Sequence, residues 1–125
     1  MPELKFKDIT EKIIGASYEV HSFLGNGFQE VIYSRALAWE LKERKLSFER
    51  EIEQHIYYKD LPNPIGKRRA DFVVEKKVLV ELKAISELND AHLNQTLNYL
   101  KMYKLEVGLL INFGGRSMVL KRLVL

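Results

Sequence analysis

The 125-residue chain contains no cysteine. That excludes disulfide staples and thiolate metal sites, and it is compatible with a reducing compartment. Proline is scarce, with three in all, and two of them fall together at Pro62 and Pro64. Nothing here resembles a proline-rich linker, a repeat or a low-complexity tract. Long apolar runs are missing as well. No segment approaches the roughly 20 residues that a bilayer span needs. The opening MPELKFKDIT lacks the apolar stretch of a signal peptide. Nor is there a strong excess of one charge. A net charge of +3 permits a local phosphate-binding face and falls short of a chain that coats nucleic acid. With 46% hydrophobic residues, the expectation is one domain over residues 1–125, soluble and cytoplasmic, without membrane association. Homo-oligomerisation is left open.

What is present concentrates between Arg69 and Lys83, RADFVVEKKVLVELK. Phe72, Val74, Val78, Val80 and Leu82 recur at every second position, the period of a strand. Glu75-Lys76-Lys77 is the polar turn between two strands. With a three-residue turn, Val74 faces Val78, Phe72 faces Val80 and Ala70 faces Leu82. Asp71 then lies across from Glu81, and Lys83 across from Arg69. A two-residue turn would put Phe72 opposite Glu81 and turn one strand inside out. The expected hairpin has one apolar face and one face bearing two carboxylates and a lysine.

Directly opposed strand residues have Cβ atoms roughly 4.5–5.5 Å apart. Two carboxylates that close repel each other unless one is protonated or a cation lies between them. A hard divalent ion takes oxygen ligands, and Mg²⁺ commonly combines one or two carboxylates with water and substrate phosphate. A lysine alongside can position or deprotonate a water and balance phosphate charge. Asp71, Glu81 and Lys83 therefore form a pattern suited to metal-dependent cleavage of phosphodiesters, with Mg²⁺ or Mn²⁺. The plain alternative is an amphipathic hairpin whose polar face is solvated.

Around the hairpin, the pattern predicts a helix over about Phe6–Phe23, with Ile9, Ile13, Ala16 and Val20 inward and Thr10 outward. Gly25-Asn26-Gly27 ends it, and Gly27 reads as a backbone requirement. His21 has the position of a capping or packing residue. A second helix over about Gln29–Arg44 has Val31, Ala38 and Leu41 toward the core, joined by Tyr33, Leu37 or Trp39. Ser47–Tyr58 fits an edge strand with one wet side, followed by a loop from Lys59 to Gly66. Lys67, Arg68 and Arg69 then form a cationic run that suits nucleic-acid phosphates or simply solvates the start of a strand. Asn89 or Asp90 caps a helix over about Ala91–Tyr103, with Leu93, Leu97, Leu100 and Tyr103 apolar. Glu106–Phe113 has buried-strand character and Met118–Leu125 closes the chain as a strand.

Asp71 followed by Glu81-Leu82-Lys83 resembles the core motif of the PD-(D/E)XK nuclease superfamily. Gly27-Phe28-Gln29-Glu30-Val31-Ile32-Tyr33 resembles the naming motif of its GxxExxY family. The likeness extends over VHSFLGNGFQEVIY, RADFVV, VLVELKA, QTLNYLK and VGLLINFG. Ala70 stands where the superfamily motif has proline, its least constrained position.

The resemblance implies an α/β fold with a restriction-endonuclease-like core, a mixed five-stranded sheet flanked by three helices. It implies Mg²⁺ (or Mn²⁺) held by Asp71, Glu81 and the Leu82 carbonyl, with Glu30 as a third acidic ligand or as the holder of a water beside the ion. Without the resemblance, Glu30 is equally a carboxylate favoured by its helix dipole. Tyr33 orients Glu30 or packs. Gln95 and Tyr99 resemble a QxxxY motif of the recombination-type exonuclease branch and would orient Lys83 or substrate. The implied partner is DNA or RNA. The competing reading is a non-catalytic interaction module that keeps the scaffold, since fold alone does not imply function.

Overall fold

The computed structural model describes residues 4–125. The readings that touch Met1–Glu3, namely the leaderless start and the domain limit at residue 1, lie outside the described residues. Helices α1 (Lys7–Leu24) and α2 (Glu30–Glu43) come first, then strands β1 (Phe48–Ile56), β2 (Gly66–Val74) and β3 (Val78–Lys83). Helix α3 (Asp90–Tyr103) and strands β4 (Val107–Asn112) and β5 (Val119–Val124) follow. The strands form one sheet in sequence order, antiparallel throughout except for the parallel β3–β4 pair that α3 connects. Every expected element is present, with ends that differ by three residues or fewer, the largest difference being β2, which begins at Gly66 rather than Arg69.

The two sides of the sheet bury different sets. On the α1–α2 side, Phe72, Val74, Val78, Val80 and Leu82 pack with Ile13, Ala16, Val20, Tyr33, Leu37 and Leu41 in the larger core. This is the apolar hairpin face the alternation predicts. On the other side, Ala70, Val73 and Leu79 pack under Leu100 of α3. Val73 and Leu79, on the face that carries the carboxylates, are covered by α3. One expectation is corrected here: Ala70 faces α3 and makes no ladder pair with Leu82.

The cause is a change of face in β1 and β2 together. The β1–β2 ladder pairs Arg50 with Phe72 and Ile52 with Ala70 but omits the Glu51–Asp71 pair between them. Glu51 has a left-handed backbone, φ 52°. Phe48 consequently joins the larger core while Ile52 joins the α3 core, although both have the same strand parity. A local kink of this kind is how strands re-aim side chains near functional positions.

The helices need smaller corrections. Thr10 is buried rather than outward, its hydroxyl donating to the Lys7 carbonyl at 3.1 Å. Val31 and Trp39 are exposed, and Tyr33, Leu37, Ala38 and Leu41 form the buried side of α2. Asn89 is the cap of α3: its side chain accepts from the His92 N–H, and the His92 ring accepts from the Asn89 N–H.

Candidate functional site

The three-residue turn holds. Glu75 and Lys76 take left-handed backbones, and Val74 pairs with Val78, Val73 with Leu79 and Phe72 with Val80. The ladder ends at Phe72–Val80, although both strands continue beyond it. From there β2 stays paired with β1, and β3 with β4. The sheet therefore divides between β2 and β3, at Asp71 and Glu81.

Side chains take over the backbone's bonding at the division. The Leu82 N–H donates to Asp71 Oδ2 at 2.7 Å, and the Asp71 N–H donates to Glu81 Oε1 at 3.4 Å. These reciprocal bonds fix both carboxylates and leave each with one further oxygen. Glu81 is only 6% exposed and has no salt-bridge partner among the described residues. Its pKa is pushed up to about 10, chiefly by burial, then by the Asp71 charge and a hydrogen bond with Asp71. Lys83 only partly offsets this. A buried carboxylate against a second carboxylate, with no cation to balance it, must carry a proton or gain an ion. The oxygen-only donor set of Asp71, Glu81 and the Leu82 carbonyl suits Mg²⁺ or Mn²⁺.

Lys83 ends β3 on the α3 side, where its Nζ donates to Gln95 Oε1 at 3.2 Å. Tyr99, one turn along α3, has its pKa raised by partial burial and then by the Glu81 charge. Asp71, Glu81, Lys83, Gln95 and Tyr99 are thus brought together. Glu30 reaches the same cleft from α2. Its pKa is raised by partial desolvation and then by Asp71, against the opposing charges of Lys83 and Arg69. It remains solvent-exposed. Among the described residues no three of His, Asp and Glu converge closely enough to hold an ion. Glu30 therefore stands at the mouth, outside the carboxylate pair.

Tyr33 shares no wet face with Glu30. It is fully buried and stacked on Phe113 at 4.8 Å between ring centres. Its hydroxyl donates to the Gly25 carbonyl at 2.6 Å and accepts from the Phe28 N–H at 3.3 Å. It pins the turn that launches α2, and with it Glu30. Gly27 has φ 105°, a conformation L side chains rarely adopt, as its reading requires. His21 packs, with its ring against Phe113 and Nε2 3.0 Å from the Gly115 carbonyl. The cationic run does not act as one patch. Arg69 lies among the charges around Glu30, Arg68 stacks over Tyr99 on the opposite face, and exposed Lys67 pairs with Glu53 at 3.7 Å.

Two supporting residues escape sequence reasoning. Tyr103, expected as an apolar helix residue, places its hydroxyl between β1 and β2. It donates to the Ile52 carbonyl and accepts from the Ala70 N–H at 3.1 Å, beside the kink that re-aims Asp71. Asn112 is 1% exposed and holds the segment after Lys83. Its Oδ1 accepts from the Ile85 N–H at 3.0 Å and its Nδ2 donates to the Ile85 carbonyl at 2.9 Å. A Cβ on Gly114 would stand 2.1 Å from the Ile85 carbonyl oxygen, so only glycine lets this segment close on β4. The polar end of the otherwise apolar run VGLLIN was the one available signal for Asn112.

No curated protein and no solved structure matches the chain. The family model that does match describes the PD-(D/E)XK nuclease superfamily and covers residues 7–123. With the divided hairpin, its carboxylate pair and the lysine at the end of β3, that match makes the chain a member of the PD-(D/E)XK nuclease superfamily.

Proposed function

We propose that the protein is a metal-dependent nuclease of the GxxExxY family, hydrolysing phosphodiester bonds in nucleic acid. The observation that carries this reading is the buried Glu81 beside the half-buried Asp71, only partly offset by Lys83 at the same strand end. A scaffold kept only for interaction gains nothing from a carboxylate that must hold a proton in its core.

Asp71, Glu81 and the Leu82 carbonyl would hold Mg²⁺ or Mn²⁺. When bound, the ion offsets the charge that develops on the phosphate. The chain's own residues do the rest. Reciprocal bonds between Asp71, Glu81 and the Leu82 N–H keep both carboxylates aimed into the cleft. Gln95 holds the Lys83 ammonium, which donates hydrogen bonds to the attacking water and to a phosphate oxygen. Tyr99 shields the Glu81 side of the cleft, and Glu30 at the mouth orients water. A new P–O bond forms from the water oxygen as one ester bond breaks, and the water's protons end on the two product ends. Arg69 and Lys67 contact the flanking phosphates.

The test is cleavage of mixed DNA and RNA substrates with Mg²⁺, with Mn²⁺ and with chelator. Cleavage that requires the ion and is lost in Lys83→Ala supports the reading. Cleavage indifferent to chelator, or unchanged in both Lys83→Ala and Asp71→Asn, overturns it.

A further inference from the structure

On the α3 side of the candidate site, a cleft of about 460 Å³ opens between α3 and the far end of the β1–β2 hairpin. That is within the ~300–1,000 Å³ typical of sites for small ligands. Asn94, Gln95, Asn98 and Tyr99 line it from α3, and Ile56 and Arg68 from the strands. Because Gln95 also accepts from Lys83, one residue of the cleft wall touches the place where the phosphodiester would react.

Arg68 is its most informative residue. The guanidinium lies over the Tyr99 ring, 5.0 Å from its centre, while Nε and Nη1 are buried with no hydrogen-bond partner among the described residues. Arginine does not shed its charge, and buried donors without acceptors are costly. The stacked ring holds the group in readiness for an anion, and a phosphate matches its fork of donors. Beside it, Asn94 and Asn98 present exposed amides, each with two donors and an acceptor. Amides of this kind complement the hydrogen-bonding edge of a base. Past Ile56, which lines the same cleft, Tyr57 and Tyr58 are 58% and 52% exposed, as stacking surfaces for unpaired bases would be.

We propose that this cleft binds one unpaired nucleotide adjacent to the bond to be cut, with its phosphate on Arg68 and its base edge on Asn94 and Asn98. The substrate class is then single-stranded nucleic acid or an unpaired end. In an intact duplex the Watson–Crick edge is already taken by the complementary base. The inference rests on the nuclease reading for its position next to the reacting bond, and binding alone tests it.

The experiment measures affinity of the full chain for a short labelled single strand and for a blunt-ended duplex of two separate strands, in chelator so that nothing is cut. The single strand should bind at least roughly tenfold more tightly. Replacing both Asn94 and Asn98 by Ala should weaken single-strand binding by roughly tenfold, the scale of a lost base-edge hydrogen bond, and leave duplex binding unchanged. Both asparagines are exposed, so this variant keeps its fold. Arg68→Gln should weaken single-strand binding further and reduce its salt dependence. Equal affinity for duplex and single strand, or an asparagine double variant that binds as the wild type does, overturns the proposal. A strand preference that persists in a protein unable to cleave under any metal condition sinks the nuclease reading, and with it the placement beside a bond to be cut, and leaves the cleft standing as a single-strand site.

Discussion

The turn end and the open end of the β2–β3 hairpin are made differently. At the turn end, Phe72, Val74, Val78 and Val80 are fully buried in the larger core and the backbone ladder is regular. At the open end the ladder has stopped, and Asp71 and Glu81 supply hydrogen bonds that backbone groups supply elsewhere. The first arrangement buries apolar side chains on a paired backbone. The second leaves a buried acid beside another acid, which the folded chain tolerates only by retaining a proton. The turn end therefore holds the fold, and the open end is where a ligand has most to contribute.

Substitutions should separate the two ends. Phe72→Ala should cost about 3–5 kcal/mol of stability, the range for emptying a buried aromatic site, as read by chemical denaturation. Lys83→Ala should leave stability within about 0.5 kcal/mol and lower turnover roughly 10²–10⁴-fold in the metal-dependent cleavage assay. A Lys83→Ala protein that unfolds, or a Phe72→Ala protein as stable as the wild type, would erase the distinction.

Tyr103→Phe sharpens the comparison at the kink. It strips the hydroxyl that serves both the Ala70 N–H and the Ile52 carbonyl. A loss of about 1–3 kcal/mol follows if those groups go unpaired, and Mn²⁺ affinity should fall with it because Asp71 loses its setting. If stability falls and Mn²⁺ titration is unchanged, Tyr103 supports only the fold.

The alternation of Phe72, Val74, Val78, Val80 and Leu82 was sufficient to set the turn length and the register, since a slip would have turned one strand's apolar set away from the core. The helices were legible from their apolar spacing and from the cap at Asn89. The kink at Glu51 and Asp71 was not, because nothing in FEREIEQHI marks a left-handed glutamate. Ala70, Ile52 and Arg68 were accordingly assigned to the wrong face or to none. Asp71, Glu81 and Lys83 were legible because spacing along a strand carries directly into space, and Gln95 through the resemblance of its QxxxY pair. Tyr103 and Asn112 act through hydroxyl and amide contacts made across elements distant in sequence, and only the tertiary structure brings those together.

The pH dependence of the metal-free protein tests the open end separately. Glu81 ionises near 4.5 ordinarily and near 10 when folded, so between these values the folded state holds a proton the unfolded chain has released. The stability this contributes is complete below 4.5 and is lost as the pH rises toward 10. Thermal melts in chelator should show Tm falling across that window. Glu81→Gln should flatten the decline, and the wild type with Mn²⁺ should lose it too. A wild-type Tm that climbs from pH 5 to pH 9 in chelator contradicts the assignment.

The most direct measurement is calorimetric titration of Mn²⁺ into the metal-free protein near neutral pH, repeated in buffers of different ionisation enthalpy. Because ligands must be deprotonated, binding at Asp71 and Glu81 should release about one proton per ion. In Glu81→Gln the release should vanish and affinity should drop by roughly tenfold or more, the lower end of what a lost ionic ligand costs. Mn²⁺ that fails to bind, or that binds without releasing a proton and equally well to Glu81→Gln, would contradict the claim that the open end of the hairpin is a cation site.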